Sequence, residues 1–358
     1  MIKSVVKTPL KSYPVFIGPG AIAELPVFIR SHFQQLTKIM IITDEKVGEL
    51  YLSDVVSLLA DFQIETMIVP TGEKAKTFDV YYECQGAALN AGLDRHSLIL
   101  ALGGGAVGDL AGFVAATFMR GIPFIQLPTT ILAHDSAVGG KVAINHPMGK
   151  NMIGAFYQPE AVIYDTQFLE SLPQHEKRSG FAEVIKHGLI QDISFYHWLK
   201  EHITTLDHIE EEDLVTFLAR GIEIKSAIVG EDEKETGVRA YLNFGHTLAH
   251  AIEAELGYGK LTHGEAVVIG MLYALQLSDK FAGLNMKTEE LYSWLHQLGY
   301  QTELPNGLSF EALIKRMKSD KKSIHGQIRF VLLNEIGIPQ IYELTEEIIL
   351  EELKQFSS

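Results

Sequence analysis

Cysteine is almost missing from this chain: Cys84 is the only one in 358 residues. An intrachain disulfide and a zinc knuckle built on thiolates are both excluded, and Cys84 itself reads as a small buried hydrophobe near a helix. Positive charge is scarce too. The chain has 30 lysines and arginines against 45 aspartates and glutamates, a net charge of −15. That balance argues against nucleic acid or an anionic membrane surface as a partner. The opening Met1-Ile-Lys-Ser-Val-Val-Lys7 lacks the apolar core of roughly 7–15 residues that a secretory signal needs, so a cytoplasmic protein is expected. The single membrane-like stretch, Ser97 to Met119, contains Asp109 and five glycines. It is expected to be buried core, not a membrane span. Internal repeats and low-complexity segments are absent.

What is present is ordinary globular composition, 47% hydrophobic and 21% charged, with length enough for two domains of roughly 100–200 residues each. Short apolar runs at Lys38–Ile42, Glu65–Val69, Ser97–Leu102, Phe124–Leu127 and Ala161–Tyr164 alternate with amphipathic segments such as Leu52–Phe62 and Tyr81–Leu93. Strands separated by helices predict a parallel sheet buried on both faces, with ligands beyond the carboxyl ends of the strands. From about Arg178 the pattern turns helical: Phe181–Ile190, Asp213–Val229, Asn243–Leu256, Ala266–Phe281 and Glu289–Leu298, then a late hairpin of Ile328–Leu333 and Pro339–Leu344. The seam falls in Leu172-Pro-Gln-His-Glu-Lys-Arg-Ser-Gly180, where charge, proline and glycine concentrate. The expected architecture is α/β: a parallel-sheet nucleotide-binding domain over 1–177 and a mostly α-helical metal- and substrate-binding domain over 178–358, with the active site in the cleft between.

Gly103-Gly-Gly-Ala-Val-Gly108-Asp109 follows one of these strands and opens a helix. Glycines there let backbone N–H groups approach a pyrophosphate at a helix N-terminus. The usual dinucleotide pattern has an acidic residue about 20 positions later, yet no Asp or Glu occurs between Asp109 and Asp135. Asp44, after an earlier strand, is the nearer carboxylate for ribose hydroxyls. Thr71-Gly72-Glu73-Lys74-Ala75-Lys76 and Pro128-Thr129-Thr130 are two more strand ends that could contribute. Alone, the first is a solvated turn and the second is equally a helix cap.

A second constellation lies in the helical half. Glu183 and Lys186 are three residues apart, His246 and His250 four apart, and His263 follows in Thr-His-Gly-Glu265. Spacings of three and four place side chains on one helix face. One carboxylate and two imidazoles make a site suited to Zn²⁺ with positions left open for a substrate. His250 is either a further ligand or a substrate hydrogen-bond partner. His-Thr-Leu-Ala-His lacks the glutamate of the zinc-protease motif, which disfavours proteolysis. Asp135 to Asn151 places Lys141, Lys150 and Asn151 on glycine-rich backbone read as irregular. Lys186 and Lys225 lie on expected helices, and Arg239 and Asn243 shortly precede His246. Any one lysine is best read as a solvated charge. The group, in so acidic a chain, points to a small polyanion such as a phosphorylated sugar acid.

With these residues assembled, the chain resembles the 3-dehydroquinate synthase family of sugar-phosphate cyclases from about Asp44 to Leu333. The likeness rests on Gly103 to Gly121, Pro128-Thr-Thr130, Asp135 to Asn151, Gly154-Ala-Phe-Tyr-Gln-Pro159, Ala182-Glu-Val-Ile-Lys186, Leu242-Asn-Phe-Gly-His-Thr247 and His263-Gly-Glu-Ala266. The resemblance implies NAD bound through Asp44, Thr71, Gly72, Glu73, Lys74, Ala75, Lys76, Gly105, Ala106, Val107, Gly108, Asp109, Thr129, Thr130, Lys141 and Lys150, with Phe168, Leu169, Glu170 and Ser171 added. It implies zinc, or cobalt in its place, on Glu183, His246 and His263. The implied substrate is 3-deoxy-D-arabino-heptulosonate 7-phosphate, held by Lys141, Asn151, Lys225, Arg239, Asn243 and His250, with Lys186 assisting proton transfer at the oxidised hydroxyl and Asp135 orienting it. Arg120 would reach the phosphate site of a neighbouring subunit, which implies a homodimer, and Lys321 or Lys322 would add a late phosphate contact. The segment Ile131-Leu-Ala-His134 is one residue shorter than in many relatives. Ser171, His175 and Ala137 also depart from the commoner pattern. Three other readings compete: a metal-dependent NAD polyol dehydrogenase, a cyclase acting on sedoheptulose 7-phosphate, and a silent binding protein that keeps NAD and metal for structure.

Overall fold

The computed structural model describes residues 1–9, 11–257, 259–319 and 327–357. Lys321 and Lys322 lie outside the described residues. The chain divides into two compact units, Met1–Leu172 with Leu214–Lys234, and Pro173–Asp213 with Glu235–Ser358.

The first unit is built on nine strands: β1 (Ile2–Lys7), β2 (Ser12–Gly18), β3 (Ile39–Asp44), β4 (Ile64–Val69), β5 (Leu98–Gly103), β6 (Phe124–Pro128), β7 (Lys141–His146), β8 (Gly149–Phe156) and β9 (Ala161–Asp165). Seven form one sheet in the order β1-β2-β9-β6-β5-β3-β4. Every pairing in it is parallel except β1 with β2. The five apolar runs of the sequence are β3, β4, β5, β6 and β9; β3, β5, β6 and β9 are buried at every position, as expected for a sheet covered on both faces, whereas β4, at the sheet edge, buries only Val69. Alternation shows directly: Met40, Ile42, Ile99, Ala101 and Phe124 enter one buried cluster, and Ile39, Ile41, Leu98, Leu100 and Ile125 enter the other. Successive strand side chains point to opposite faces, so both must be apolar when helices cover both.

Two features depart from the sequence reading. The N-terminal segment supplies an antiparallel pair at the sheet edge. The segment read as irregular backbone is largely the hairpin β7–β8, paired from Lys141↔Phe156 to His146↔Gly149 with an irregularity after Ile144. The hairpin packs on the helix Gly105–Thr117, where a Cβ at Gly112 would overlap the Val142 side chain. Glycine at 112 is what lets the hairpin approach.

The second unit contains the helices Gln174–Gln191, Ile193–His202, His246–Leu256, His263–Leu277, Thr288–Gln297, Phe310–Ser319 and Glu346–Phe356, and the hairpin β10 (Ile328–Glu335) and β11 (Ile338–Leu344). Gln174–Gln191 is the central helix, buried without a break from Ser179 to Ile190. Two glycines of His263–Leu277 set its packing. A Cβ at Gly264 would overlap the Ser179 carbonyl, and one at Gly270 would overlap the Gly245 carbonyl. Three helices therefore meet backbone to backbone. Among the described residues, no helix is long and apolar enough to cross a membrane.

Candidate functional site

That close packing places the metal-type residues of the second unit. Glu183 and Lys186 project from the central helix and are each 1% exposed. His246 opens its helix after Gly245, whose φ of 80° suits glycine. His263 opens the next helix after a capping box, in which Thr262 and Glu265 satisfy each other's end groups and Arg178 holds Glu265 at 3.0 Å. Glu183 Oε1 then lies 3.4 Å from His246 Nε2 and 3.3 Å from His263 Nε2. Oε1 is buried yet accepts no hydrogen bond of good geometry. Donors bound about 2.0–2.1 Å from one tetrahedral centre stand roughly 3.3–3.4 Å apart. The separations and the unsatisfied oxygen fit a shared divalent cation better than ion pairing between the side chains.

Charge in the site is uneven. Burial disfavours the Glu183 carboxylate, but Lys186 and His246 outweigh it and hold the group well below the usual carboxylate range. Burial takes His246 down to about 4 despite Glu183. Burial opposes protonation of His263 as well, yet the close carboxylates of Glu183 and Glu253 lift it to about 10. In the metal-free protein at neutral pH, His263 thus carries a proton where a cation would sit. Lys186 Nζ contacts the other Glu183 oxygen, Oε2.

His250 is exposed on the same helix, its ring centroid 5.4 Å from His246 and 6.0 Å from His263. Buried Arg239 and half-buried Asn243 lie in the turn Val238–Asn243 just before. Asn243 Nδ2 donates to Glu235 Oε1 at 2.9 Å and to the Ala240 carbonyl at 3.0 Å. Glu253 was missed by the sequence reading. It lies 3.1 Å from His263 Nδ1, and its only signal was its place in the helical stripe His246, His250, Glu253.

In the first unit the glycine loop caps the helix Gly105–Thr117 at the end of β5. Around it the hydroxyls of Thr129, Thr130 and Ser136 are buried without a hydrogen-bond partner. A Cβ at Gly104 would come within 2.8 Å of Thr130 Cγ2, and one at Gly105 within 2.9 Å of Ser136 Oγ. Ala106, Val107 and Gly108 form the first turn, and Asp109 accepts from buried Lys76 Nζ at 2.6 Å. Lys76 also donates to Asn151 Oδ1 at 2.5 Å. Burial would lower the Lys76 pKa, but Asp109 and Glu73 outweigh it and the shift is upward, so the ammonium stays charged. Asn151 sits at φ 55°, a left-handed conformation that asparagine tolerates. Orphaned hydroxyls, a helix N-terminus and a fixed cation suit a phosphate-bearing dinucleotide.

The other first-unit residues fall around these. Asp44 accepts the backbone N–H groups of Lys46 and Val47 at 3.0 and 3.1 Å. Thr71, Gly72, Glu73, Lys74 and Ala75 form a turn at the end of β4. Lys150 Nζ stands 3.8 Å from Glu73. Lys141 begins β7. Phe168 and Leu169 end a turn after β9, followed by Glu170 and Ser171, and Tyr51 donates to Ser171 Oγ at 2.6 Å. Lys225 Nζ reaches Asp135 Oδ2 at 3.1 Å and donates to the Asp135 carbonyl. His134, in the shortened segment, is buried with Nδ1 at 2.7 Å from the Ile131 carbonyl. Met119 and Arg120 both have positive φ after the glycine-rich helix. Cys84 is buried, and burial pushes its thiol up to about 12.

Two family models match the chain: 3-dehydroquinate synthase N-terminal over residues 66–179 and 3-dehydroquinate synthase C-terminal over 180–323. A protein named 3-dehydroquinate synthase from Geobacillus kaustophilus is 55% identical over 100% of this chain and 98% of its own length. One of the same name from Halalkalibacterium halodurans is 54% identical over 97% of this chain and 96% of its own. Among solved structures, 2-deoxy-scyllo-inosose synthase in complex with carbaglucose-6-phosphate, NAD⁺ and Co²⁺ superposes with a TM-score of 0.91. It is 24% identical and covers 99% of this chain and 100% of that one, a likeness of fold.

Proposed function

The chain belongs to the 3-dehydroquinate synthase family, and from that premise we propose that it converts 3-deoxy-D-arabino-heptulosonate 7-phosphate to 3-dehydroquinate and inorganic phosphate. NAD and a zinc or cobalt ion are the cofactors in this reading, and the reaction class is a phosphate-eliminating carbon–oxygen lyase. The observation that carries it is the convergence of Glu183, His246 and His263 beside buried Lys186. The structurally similar 2-deoxy-scyllo-inosose synthase, crystallised with NAD⁺ and Co²⁺, supports both cofactors.

When bound, the cation polarises a substrate hydroxyl, and NAD accepts a hydride from that carbon and later returns it. The chain's residues supply position and charge. Glu183, His246 and His263 would hold the cation, and Lys186 would move the proton of the oxidised hydroxyl. Asp135, fixed by Lys225, would orient it. Ketone formation acidifies the neighbouring C–H, so phosphate leaves by elimination; ring opening and an intramolecular aldol closure follow. Lys141, Asn151, Lys225, Arg239, Asn243 and His250 would neutralise the substrate's phosphate and carboxylate. The dinucleotide would lie on Gly105 to Asp109, Thr129, Thr130, Lys76 and Lys150, with Asp44 toward a ribose. The reading includes a homodimer, with Arg120 reaching the neighbouring subunit's phosphate site; a monomer in light scattering would remove that part.

The test is phosphate release from 3-deoxy-D-arabino-heptulosonate 7-phosphate with NAD⁺ and Zn²⁺, while NADH absorbance is followed. Stoichiometric phosphate without net NADH, abolished by EDTA, is expected. NADH accumulating from a simple polyol without phosphate release would instead show a dehydrogenase, and turnover only of sedoheptulose 7-phosphate would show a different cyclase. The His263→Ala protein should fold and lose metal-dependent activity; full activity without metal in that variant would refute the assignment.

A further inference from the structure

Glu253 takes no part in the reading above, yet its placement is specific. It lies on the helix His246–Leu256, seven residues after His246 and three after His250, so the three share one face. It is 6% exposed. Its Oε2 stands 3.1 Å from His263 Nδ1, while Nε2 of the same ring faces Glu183 Oε1 at 3.3 Å. An ionised carboxylate only accepts hydrogen bonds, so this contact requires the Nδ1 of His263 to carry a proton. Once the ring gives up its second proton to a cation, the free lone pair is the one on Nε2, on the side that faces Glu183. His246 meets the same requirement through the backbone, its Nδ1 at 3.1 Å from the Phe244 carbonyl.

We propose that Glu253 is a positioning residue: it holds His263 in the Nδ1–H tautomer and in the ring orientation that presents Nε2 to the divalent cation. The inference rests on reading Glu183, His246 and His263 as the cation's ligands. Partners of this kind orient metal-bound histidines and raise their basicity, and losing one costs roughly 10–100-fold in metal affinity. A glutamine at 253 could offer its NH₂ to Nδ1, which would move the ring proton to Nε2 and block the lone pair in part of the population. Alanine removes the acceptor altogether. The chief rival is that His250, Glu253 and His263, whose ligand atoms lie within 4.8 Å of one another, hold a second cation of their own.

The test strips the full-length protein of metal and titrates Zn²⁺ in competition with a chromophoric chelator. The visible d–d spectrum of the Co²⁺-loaded form is a second readout, because it reports ligand geometry and not stability. Wild type should bind one equivalent. Glu253→Gln should bind about 10-fold and Glu253→Ala about 100-fold more weakly, with altered Co²⁺ spectra and near-wild-type circular dichroism in the metal-free state. Unchanged affinity and spectrum in Glu253→Gln and Glu253→Ala would overturn the proposal, and Glu253→Gln decides alone if Glu253→Ala fails to fold. Two equivalents in wild type falling to one in Glu253→Ala would also overturn it, in favour of the second site. If wild type binds no Zn²⁺, the ligand reading fails and takes the proposal with it.

Discussion

Cation binding should expel a proton, and the number follows from the site. The carboxylates of Glu183 and Glu253 lift His263 to about 10 in the metal-free protein, so near pH 7 its protonated form dominates. His246 titrates at about 4 and is already neutral. Glu183 is held well below the carboxylate range and is already ionised. A metal ligand must be deprotonated, so a cation entering near neutral pH displaces one proton, that on His263 Nε2. Apparent Zn²⁺ affinity should then rise about tenfold per pH unit between pH 6 and 8, about 1.4 kcal/mol per unit. Calorimetry in buffers of different ionisation enthalpy measures this directly, as the slope of observed heat against buffer heat. About one proton is expected. A slope near zero, with affinity flat in pH, would refute the charge assignment, because it would mean that His263 is already neutral.

The same two histidines make opposite contributions to the stability of the metal-free protein. The raised His263 pKa stabilises the fold fully below pH 6.5, its ordinary value, and that stabilisation is lost as pH rises through about 10. The depressed His246 pKa weakens the fold as pH falls from 6.5 toward 4, since the unfolded chain binds a proton that the folded chain refuses. Urea midpoints of the metal-free protein should therefore fall in both directions, and loading with Zn²⁺ should remove the alkaline arm due to His263. An unchanged alkaline arm would count against that origin.

Gly270→Ala places a methyl group onto the Gly245 carbonyl. Overpacking of this kind costs about 1–3 kcal/mol or more, and because Gly245 precedes His246, Zn²⁺ affinity should fall with the urea midpoint. Thr262→Ala removes the capping box of the His263 helix and should cost about 1 kcal/mol in urea unfolding. Lys76→Met leaves half-buried Asp109 without its partner and should destabilise by less than the roughly 3–5 kcal/mol of a fully buried pair. Adding Asp109→Asn should recover part of that loss, and NAD⁺ titration by protein fluorescence should show weaker binding in Lys76→Met.

The parallel sheet was legible because its evidence is local. Runs such as Ile39-Met-Ile-Ile42 and Leu98-Ile-Leu-Ala-Leu102 are apolar at every position, which a strand buried on both faces requires. Strand β8 carries no such mark. It reads Gly-Lys-Asn-Met-Ile-Gly-Ala-Phe and is mostly exposed, so its extended form comes from pairing with β7 and from the room left at Gly112. Gly112 is remote in the chain, and nothing in the polar, glycine-rich sequence of β8 itself marks its pairing with the neighbouring β7. Strand β1 is similar: at the sheet edge, only one of its six residues is buried.

The metal-type ligands divide along the same line. Glu183 with Lys186, and His246 with His250, show themselves by helical spacing, but spacing says nothing of how separate helices meet. That meeting is decided by glycines at positions 264 and 270, where a side chain would strike the backbone of a neighbouring helix. A glycine inside a helix costs roughly 1 kcal/mol against alanine, so two in one helix signal a contact worth more than that cost, without naming the partner. Glu253 shows the limit most clearly. Its residue type and helical position were readable, but its role depends on which nitrogen of His263 it faces. That in turn depends on the approach of two helices that the glycines at 264 and 270 permit.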